Sequence, residues 1–162
     1  MVNRASALVT NYKIGSVIVN RKITLTFQEI KNLDIKQIGA WPSTLETLSL
    51  KLADLLSVKK TPSFNQALSN KDKHILRMEP LKWWIIGADK ININSEEGTI
   101  VDLSHAFTVI EIKGESVKKF LNRHVPLDLR DHSFPLNSIA SSAIHHVSVK
   151  IWRTDQGYQL FI

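Results

Sequence analysis

The stretch VDLSHAFTVIEIKGESVKKFLN, residues 101–122, sets the folding pattern of this chain. Residues 106–113 carry apolar side chains on both faces of an extended backbone, which is typical of a strand covered on both sides. Gly114 ends that strand, and the next apolar residues have helical spacing until Pro126 disfavours the helix. These residues are Val117, Phe120 and Leu121. The stretch therefore predicts a buried strand, a turn and a short helix.

The first half of the chain predicts another strand and another helix. Residues 23–27 alternate apolar and polar side chains with the period of a half-buried strand. Residues 32–42 contain Asp, Asn, Gly and Pro and are interpreted as a connection. Ser43 and Glu46 have the spacing of a capping box at the start of a helix. The apolar stripe of this helix consists of Leu45, Leu48, Leu52, Leu55 and Leu56.

Short strands account for most of the remaining sequence. The polar residues 61–73 and the segment 127–138 are interpreted as loops. Pro80 has a fixed φ and no amide donor, so it favours a turn between two strands. Residues 155–157 have the composition of a hairpin turn. The predicted extended segments span residues 74–79, 82–87, 99–104, 143–154 and 158–162.

The order of these elements predicts an α+β fold. It is strand, helix, strand, strand, followed by the same succession, and it lacks the glycine-rich phosphate loop of a Rossmann fold. We therefore expect two strand-helix-strand-strand repeats that form an antiparallel sheet with the helices packed on one face. Residues 21–162 are predicted to form a single α+β domain. Residues 1–20 are predicted to form an extended N-terminal arm.

The composition restricts the classes of function. The 162 residues include no cysteine, which excludes disulfides, thiolate metal sites and cysteine nucleophiles. The apolar stretches are too short for a spanning helix, so we expect a cytoplasmic protein without membrane contact. The net charge is +6, and the excess lies in residues 1–81, with 12 basic against 6 acidic residues. Because these charges are dispersed, we expect no nucleic acid partner, and a basic nucleic-acid-binding module stays an alternative.

Two groups of residues have the composition of a catalytic or metal site. Asp102, Ser104 and His105 are the residue types of a hydrolase triad, but on a strand the first two point away from the third. His145 and His146 would point to opposite faces of a strand and could not share a metal ion. We therefore predict turn capping by Asp102 and Ser104 and a structural role for the paired histidines. The chain is expected to hold no catalytic, cofactor-binding or metal site.

The aromatic residues indicate a protein partner. Tryptophan is costly to expose and is enriched both in cores and at protein interfaces. Trp83 and Trp84 are neighbours in a predicted strand, so one can enter the core while the other, on the opposite face, needs a helix layer or a partner to cover it. The last residues, 158–162, also form an apolar strand. We predict a partner interface that contains Trp83, Trp84, Trp152, Tyr158 and Leu160.

Four successive segments resemble the gamma subunit of heterotetrameric sarcosine oxidase. They are PLKWWIIG (80–87), VDLSHAFTVIEIKGESVKKFLN (101–122), PLDLRDHSFPLNSIASSAIHHVSVKIWRT (126–154) and GYQLFI (157–162). The resemblance covers about half of the chain and rests on the order and spacing of these segments. In the first half, only the strand and the leucine-rich helix follow the family.

This resemblance implies a non-catalytic structural subunit of an oxidoreductase complex. Complexes of this family oxidatively demethylate sarcosine to glycine, a reaction of sarcosine catabolism and one-carbon metabolism. In the family, the alpha and beta subunits hold FAD, FMN, NAD and tetrahydrofolate, and the delta subunit holds zinc. We therefore expect alpha, beta and delta subunits as partners, no cofactor in this chain, and no catalysis by this chain alone.

The gamma subunit is also similar in fold to the folate-binding domain of the glycine-cleavage aminomethyltransferase. The transferase pattern D-x-SH…G…FL is matched by Asp102, Ser104, His105, Gly114, Phe120 and Leu121. The transferase's glycine-rich hairpin with paired aspartates, one of them catalytic, has no counterpart after Phe134. The shared residues are therefore expected to be architectural, and a stand-alone folate-binding or one-carbon transfer protein stays an alternative.

Overall fold

The computed structural model consists of two compact units. The continuous unit is Leu33–Ala106, and the split unit combines Met1–Asn32 with Phe107–Ile162. The single domain expected for residues 21–162 stays a prediction. The structure describes residues 5–9, 15–19, 22–88 and 90–162.

The described residues form eleven strands and two α-helices. The strands are β1 (Gly15–Val19), β2 (Lys22–Ile30), β3 (Ile35–Ala40), β4 (Ala67–Asn70), β5 (Lys73–Glu79), β6 (Lys82–Ile86), β7 (Gly98–Asp102), β8 (Val109–Lys113), β9 (Ile139–Ile144), β10 (Val147–Arg153) and β11 (Tyr158–Phe161). The helices are α1 (Leu45–Leu55), which follows a 3₁₀ turn at Pro42–Thr44, and α2 (Val117–Leu121). No helix in the described ranges is long and apolar enough to cross a membrane.

The continuous unit is an antiparallel five-stranded sheet with α1 packed on one face. Its strand order is β4-β5-β6-β3-β7. Leu48 and Leu52 lie on the buried stripe of α1. They pack in one cluster with Ile38 of β3 and with Trp83 and Ile85 of β6. Trp83 and Ile85 are two positions apart along β6 and therefore share a face. Each buried side chain of this size stabilises the fold by roughly 1.5–3 kcal/mol.

The split unit is an antiparallel six-stranded sheet with α2 packed on one face. Its strand order is β1-β2-β8-β11-β10-β9. Val117 and Leu121 of α2 are buried in a cluster with apolar residues of five neighbouring segments. Those include Leu25 of β2, Ile112 of β8, Ile151 of β10, Leu160 of β11 and Phe134 of the loop before β9. The predicted α2 and the predicted loop 127–138 are both present.

The two units repeat one pattern of elements. The segments β3-α1-β4-β5-β6 and β8-α2-β9-β10-β11 have the same order, and their strands have the same neighbours, β4-β5-β6-β3 and β9-β10-β11-β8. The α+β class, the antiparallel pairing and a repeat with one helix in each unit are thus confirmed, but the strands form two sheets where one was expected. The first repeat opens with β3 and not with the predicted strand at residues 23–27, which is β2 of the other sheet. In each sheet the next strand comes from outside the repeat, because β7 pairs with β3 and β2 pairs with β8.

Two segments interpreted as connections contain strands. Residues 32–42 include β3, which lies between β6 and β7. Its Ile35, Ile38 and Ala40 are buried, whereas its glycine and polar residues had suggested a turn. Residues 61–73 include β4, which pairs with β5 in a hairpin around Lys71, a residue with φ of 55°. Both predictions were wrong because cross-strand partners outweighed the weak local preference for a strand.

Two predicted boundaries are also wrong. Ser43 lies in the 3₁₀ turn, so the predicted capping box does not start the helix, which is preceded by Thr44. The predicted strand 143–154 is a hairpin, in which β9 and β10 pair with Val147 opposite Ile144. His145, with φ of 53°, and His146 form its turn. The hairpins around Pro80 and around residues 155–157 are present as predicted.

Part of the predicted N-terminal arm belongs to a sheet. Gly15–Val19 form β1 and pair with β2, with Val17 opposite Leu25. Residues 1–4, 10–14 and 20 of the predicted arm lie outside the described residues. The extent of the arm beyond β1 therefore stays a prediction.

Gly114 makes the predicted turn from β8 to α2. Its φ is +125°, and a Cβ at this position would lie 2.2 Å from the Thr24 carbonyl oxygen of β2. The same oxygen accepts a hydrogen bond from the Ser116 amide at 3.3 Å. The turn can approach β2 only because glycine has no side chain.

We expect Gly114→Ala to lower the free energy of unfolding by about 2 kcal/mol or more, because it combines a strained φ with a backbone clash. Lys119→Ala, on the exposed side of α2, is the control and is expected to change it by less than about 0.5 kcal/mol. Urea unfolding of both variants measures the difference. Equal stabilities would contradict the role given to this glycine.

Candidate partner interface

The five residues predicted to form a partner interface are buried within this chain. Trp83 is 0% exposed, Trp84 3%, Trp152 3%, Tyr158 1% and Leu160 2%. None of them offers side-chain surface to a partner in this structure of one chain. The expectation that one member of the Trp83–Trp84 pair stays exposed is not met, because β6 is buried on both of its faces.

Both members of the tryptophan pair are held by polar groups of the continuous unit. The Trp84 indole nitrogen donates to the Gln37 side-chain oxygen on β3 at 3.1 Å. The Arg77 guanidinium lies 5.3 Å from the centroid of the Trp83 ring, a cation–π distance. A second bond fixes this guanidinium, which donates to the Pro80 carbonyl at 2.7 Å. Through these contacts, Trp83 helps to hold β6 against β5, and Trp84 helps to hold β6 against β3.

The C-terminal residues of the predicted interface belong to the core of the split unit. Tyr158 and Leu160 pack in the cluster that covers α2. The Tyr158 ring stacks on Phe134, with 6.4 Å between centroids and 10° between planes. Burial raises the pKa of Tyr158, which keeps its hydroxyl neutral. The apolar strand at the end of the chain is thus covered by the unit's own residues.

Asp102 caps a turn, as predicted, whereas the Ser104 side chain contacts the start of β3 instead, and neither residue assembles a triad with His105. The Ser104 amide donates to Asp102 Oδ1 at 2.9 Å. The buried Ser104 hydroxyl donates to Asp34 Oδ1 at 3.0 Å and accepts from the Ile35 amide at 3.0 Å. These bonds join the end of β7 to the start of β3 and occupy the hydroxyl that a nucleophile would need.

A lysine completes this turn. Lys36 Nζ lies 2.8 Å from Asp102 Oδ2 and 2.7 Å from Asp34 Oδ1. The bond to Lys36, assisted by the bonds from Ser104, holds the pKa of Asp102 well below its usual range. The pKa of Lys36 is raised by the bonds to Asp102 and Asp34. The group is a closed set of structural contacts around two strand ends.

His145 and His146 are both exposed in the β9–β10 turn, which corrects their placement in a strand. The centroid of the His145 ring lies 6.2 Å from that of the His124 ring. In the described ranges, no three His, Asp or Glu residues are grouped as metal ligands would be.

Trp41 is the exposed tryptophan of this chain. It is 43% exposed, whereas the other three, all within the described ranges, are buried. It follows β3 directly, beside the start of β7, since Ala40 lies opposite Gly98. Its indole nitrogen donates to the Ser95 carbonyl at 2.9 Å, so the ring is held in place while exposed. The sequence signal that could have identified it is the Trp-Pro pair at the start of a helix, where no apolar periodicity gives the ring a core position.

The strand beside Trp41 is an exposed sheet edge. β7 pairs with β3 on one side and is the last strand of its sheet. Ile100 is 41% exposed and Val101 45%, and alternation places them on opposite faces. Apolar residues on an open edge strand are typical of surfaces that pair with another chain. The combination of Trp41, Ile100 and Val101, called here the β7 edge, is the candidate interface.

The loop before β7 is fixed by two contacts. Thr44 Oγ1 donates to the Glu97 carbonyl at 2.6 Å, and Lys51 Nζ lies 2.7 Å from Glu97 Oε2. The bond from Lys51 holds the pKa of Glu97 below its usual value. Glu97, for which the sequence indicated no role, thus ties the β7 edge to α1. A surface already fixed in this way loses little conformational entropy on binding.

No protein-family model matches this chain. The chain is 28% identical over 64 residues to the sarcosine oxidase gamma subunits of an Arthrobacter species and of Corynebacterium sp. (strain P-1). The matched segment is 40% of this chain and 32% of each relative, so it spans about a third of the relatives' length.

The fold is that of a chain in a solved multi-subunit oxidase. It superposes with a TM-score of 0.75 on a chain of the heterotetrameric sarcosine oxidase from Corynebacterium sp. U-96, solved with pyrrole 2-carboxylate. The match covers 91% of this chain and 78% of that chain at 19% identity. Together with the sequence relatives, it confirms the resemblance to the gamma subunit of heterotetrameric sarcosine oxidase.

We expect Ser104→Ala to lower the free energy of unfolding by about 1–3 kcal/mol, because it leaves the buried Ile35 amide without its acceptor. His105→Ala is expected to change it by less than about 0.5 kcal/mol. Thermal melts of both variants measure the contrast. Equal effects of the two substitutions would contradict the turn-capping role.

The Asp102–Lys36 pair predicts part of the pH dependence of stability. A depressed carboxyl pKa stabilises the fold above the unfolded value of 3.8, and this stabilisation is lost as the pH falls through the folded value. In Lys36→Met we expect a shallower loss of stability below about pH 5, because the main cause of the shift is gone. Lys59→Met is the control and should keep the wild-type slope. Unfolding by urea at several pH values tests this, and a steeper slope in Lys36→Met would contradict it.

Proposed function

We propose that this chain is a non-catalytic structural subunit of a heterotetrameric sarcosine oxidase, an enzyme that oxidatively demethylates sarcosine to glycine. The observation that carries the proposal is the fold match over 91% of the chain. The sequence match to gamma subunits supports the same assignment. The turn formed by Asp102 and Ser104 also supports it, since these residues serve the backbone and not a reaction.

The proposal includes partners, cofactors and location. The partners are subunits of alpha, beta and delta type, and FAD, FMN, NAD and tetrahydrofolate are held by those partners. The complex is proposed to work in the cytoplasm. The interface expected from the sequence at Trp83, Trp84, Trp152, Tyr158 and Leu160 stays a prediction that a structure of the complex would test. Their burial in this chain favours a supporting role beneath the contact surface.

The β7 edge is the surface proposed to meet a larger subunit. A held, half-exposed indole combines a large apolar area with low conformational freedom, which is the character of an interface hot spot. An edge strand with Ile100 and Val101 extends this area beside it. Covering these three side chains would remove a large part of the apolar surface that the continuous unit exposes.

We expect Trp41→Ala to weaken assembly with the flavoprotein subunits by about thirtyfold, because a buried interface tryptophan contributes roughly 2 kcal/mol or more. The measurement is co-purification and titration with the flavoprotein subunits of the proposed complex. Phe64→Ala removes another exposed aromatic ring of the same unit, 50% exposed, and is the matched control.

Thermal melts of the free variants separate folding from assembly. Both variants should melt within a few degrees of the wild type. Assembly that is unchanged in Trp41→Ala, or lost equally in Phe64→Ala, would contradict the proposed surface. A wild-type chain that does not co-purify with any flavoprotein subunit would contradict the proposed function itself.

A further inference from the structure

The split unit carries a groove that the β7 edge does not include. It has a volume of about 230 Å³ and lies where β1 and β2 meet α2. Val17, Leu25 and Phe120 line it with apolar atoms, and Lys119 and Arg123 line it with cationic groups. This combination of an apolar floor and a basic rim is called here the β1–α2 groove.

A β-bulge shapes the groove. The pairing of β1 with β2 shifts register between Val17 and Ile18, opposite Thr24. The Thr24 hydroxyl donates to the Val17 carbonyl at 3.2 Å, and the Thr24 carbonyl accepts from the Ser116 amide at 3.3 Å. Bulges are typical of places where a sheet edge is bent to aim its side chains. The groove is therefore built by specific backbone contacts between β1, β2 and the turn before α2.

The floor of the groove is fixed and partly uncovered. Leu25 belongs to the core cluster, and Phe120 packs against that cluster. The Phe120 ring meets Phe27 edge to face, with 5.5 Å between centroids. Val17, which also lines the groove, is 42% exposed. The floor thus presents apolar atoms to solvent that a bound side chain could cover.

The cations of the rim are available for pairing. Lys119 and Arg123 are four residues apart and lie on one side of the helical turn that α2 begins. Within the described part of the chain neither has an acidic partner, whereas the adjacent Lys118 is paired with Asp131. Asp131 is in turn shared with Arg153. Asp131 therefore neutralises Lys118, whereas no acidic residue of the described ranges pairs with the two cations that border the groove.

We propose that the β1–α2 groove binds an extended segment of a neighbouring subunit, with an apolar side chain between carboxylates. The proposal rests on the proposed function and names a second contact of the same subunit. The apolar side chain would cover the floor, and the carboxylates would pair with Lys119 and Arg123. Among the described strands β1 is the outer one of its sheet, so its outer edge also offers backbone donors and acceptors to an extended segment. Nucleic acid fits less well, because two cations around an apolar floor cannot follow a run of phosphates.

The first test reverses the charge of the rim. Lys119→Glu with Arg123→Glu is expected to weaken assembly with the co-expressed flavoprotein subunits by about tenfold or more. The double variant Lys59→Glu with Lys60→Glu makes the same change in net charge at two exposed positions of the continuous unit and should assemble like the wild type. Titration at low and high salt should show a salt dependence that is reduced in the groove variant.

The second test places one carboxylate on the floor. Val17→Glu should weaken assembly as the rim variant does, while Val147→Glu, at a valine that is 51% exposed on β10, should not. Thermal melts of the free chains check that all four variants fold. If the rim variant fails to fold, the comparison of Val17→Glu with Val147→Glu tests the proposal by itself.

Three results would overturn the proposal. They are unchanged assembly in both groove variants, an equal loss in the controls, and groove variants that lose only binding to a DNA or RNA oligonucleotide. Failure of the proposed function is distinct, because then the wild-type chain would not co-purify at all. If the groove variants assemble like the wild type while Trp41→Ala still weakens assembly, the groove proposal is wrong. The proposed subunit function would then stand, with the β7 edge as its contact.

Discussion

The pairing of β2 with β8 is the interaction on which the rest of the structure depends. β2 precedes the continuous unit in the chain and β8 follows it, so their ladder closes the split unit across the whole of Leu33–Ala106. It sets Phe27 opposite Ile112 and places Leu25 under α2. Gly114 makes this possible, since any side chain there would strike the backbone of β2. Loop closure over so many residues is compensated by the apolar core that it completes.

The repeated pattern of elements has a consequence for function. Each repeat pairs with one strand from outside itself: β7 lies between the two repeats in the chain, and β2 precedes the first repeat. One of them, β7, becomes an open edge with exposed apolar residues, and β1, added beyond β2, becomes another. Native sheets avoid open apolar edges unless another chain covers them. The two candidate contact surfaces therefore follow from the way in which the sheets are completed, and both suit a chain that works inside an assembly.

Residue types that suggest catalysis serve the backbone here. The Ser104 hydroxyl donates to Asp34 and accepts from the Ile35 amide, and Asp102 is held by Lys36 and by the turn that it caps. These side chains thus shape a turn and join two strand ends. A resemblance in such residues is informative about the fold, whereas the role of the chain depends on what its exposed surfaces can bind.

Local periodicity determined the α+β class, α2, the hairpins around Pro80 and residues 155–157, and the capping by Asp102, because these features depend on neighbours in the chain. The tertiary structure alone decided that β3 and β4 are strands, since their weak local preference is outweighed by ladders to distant partners. It also decided which tryptophan is exposed. Trp83, Trp84 and Trp41 are equally apolar in the sequence, and only the covering of both faces of β6 buries the first two and leaves the third at the surface.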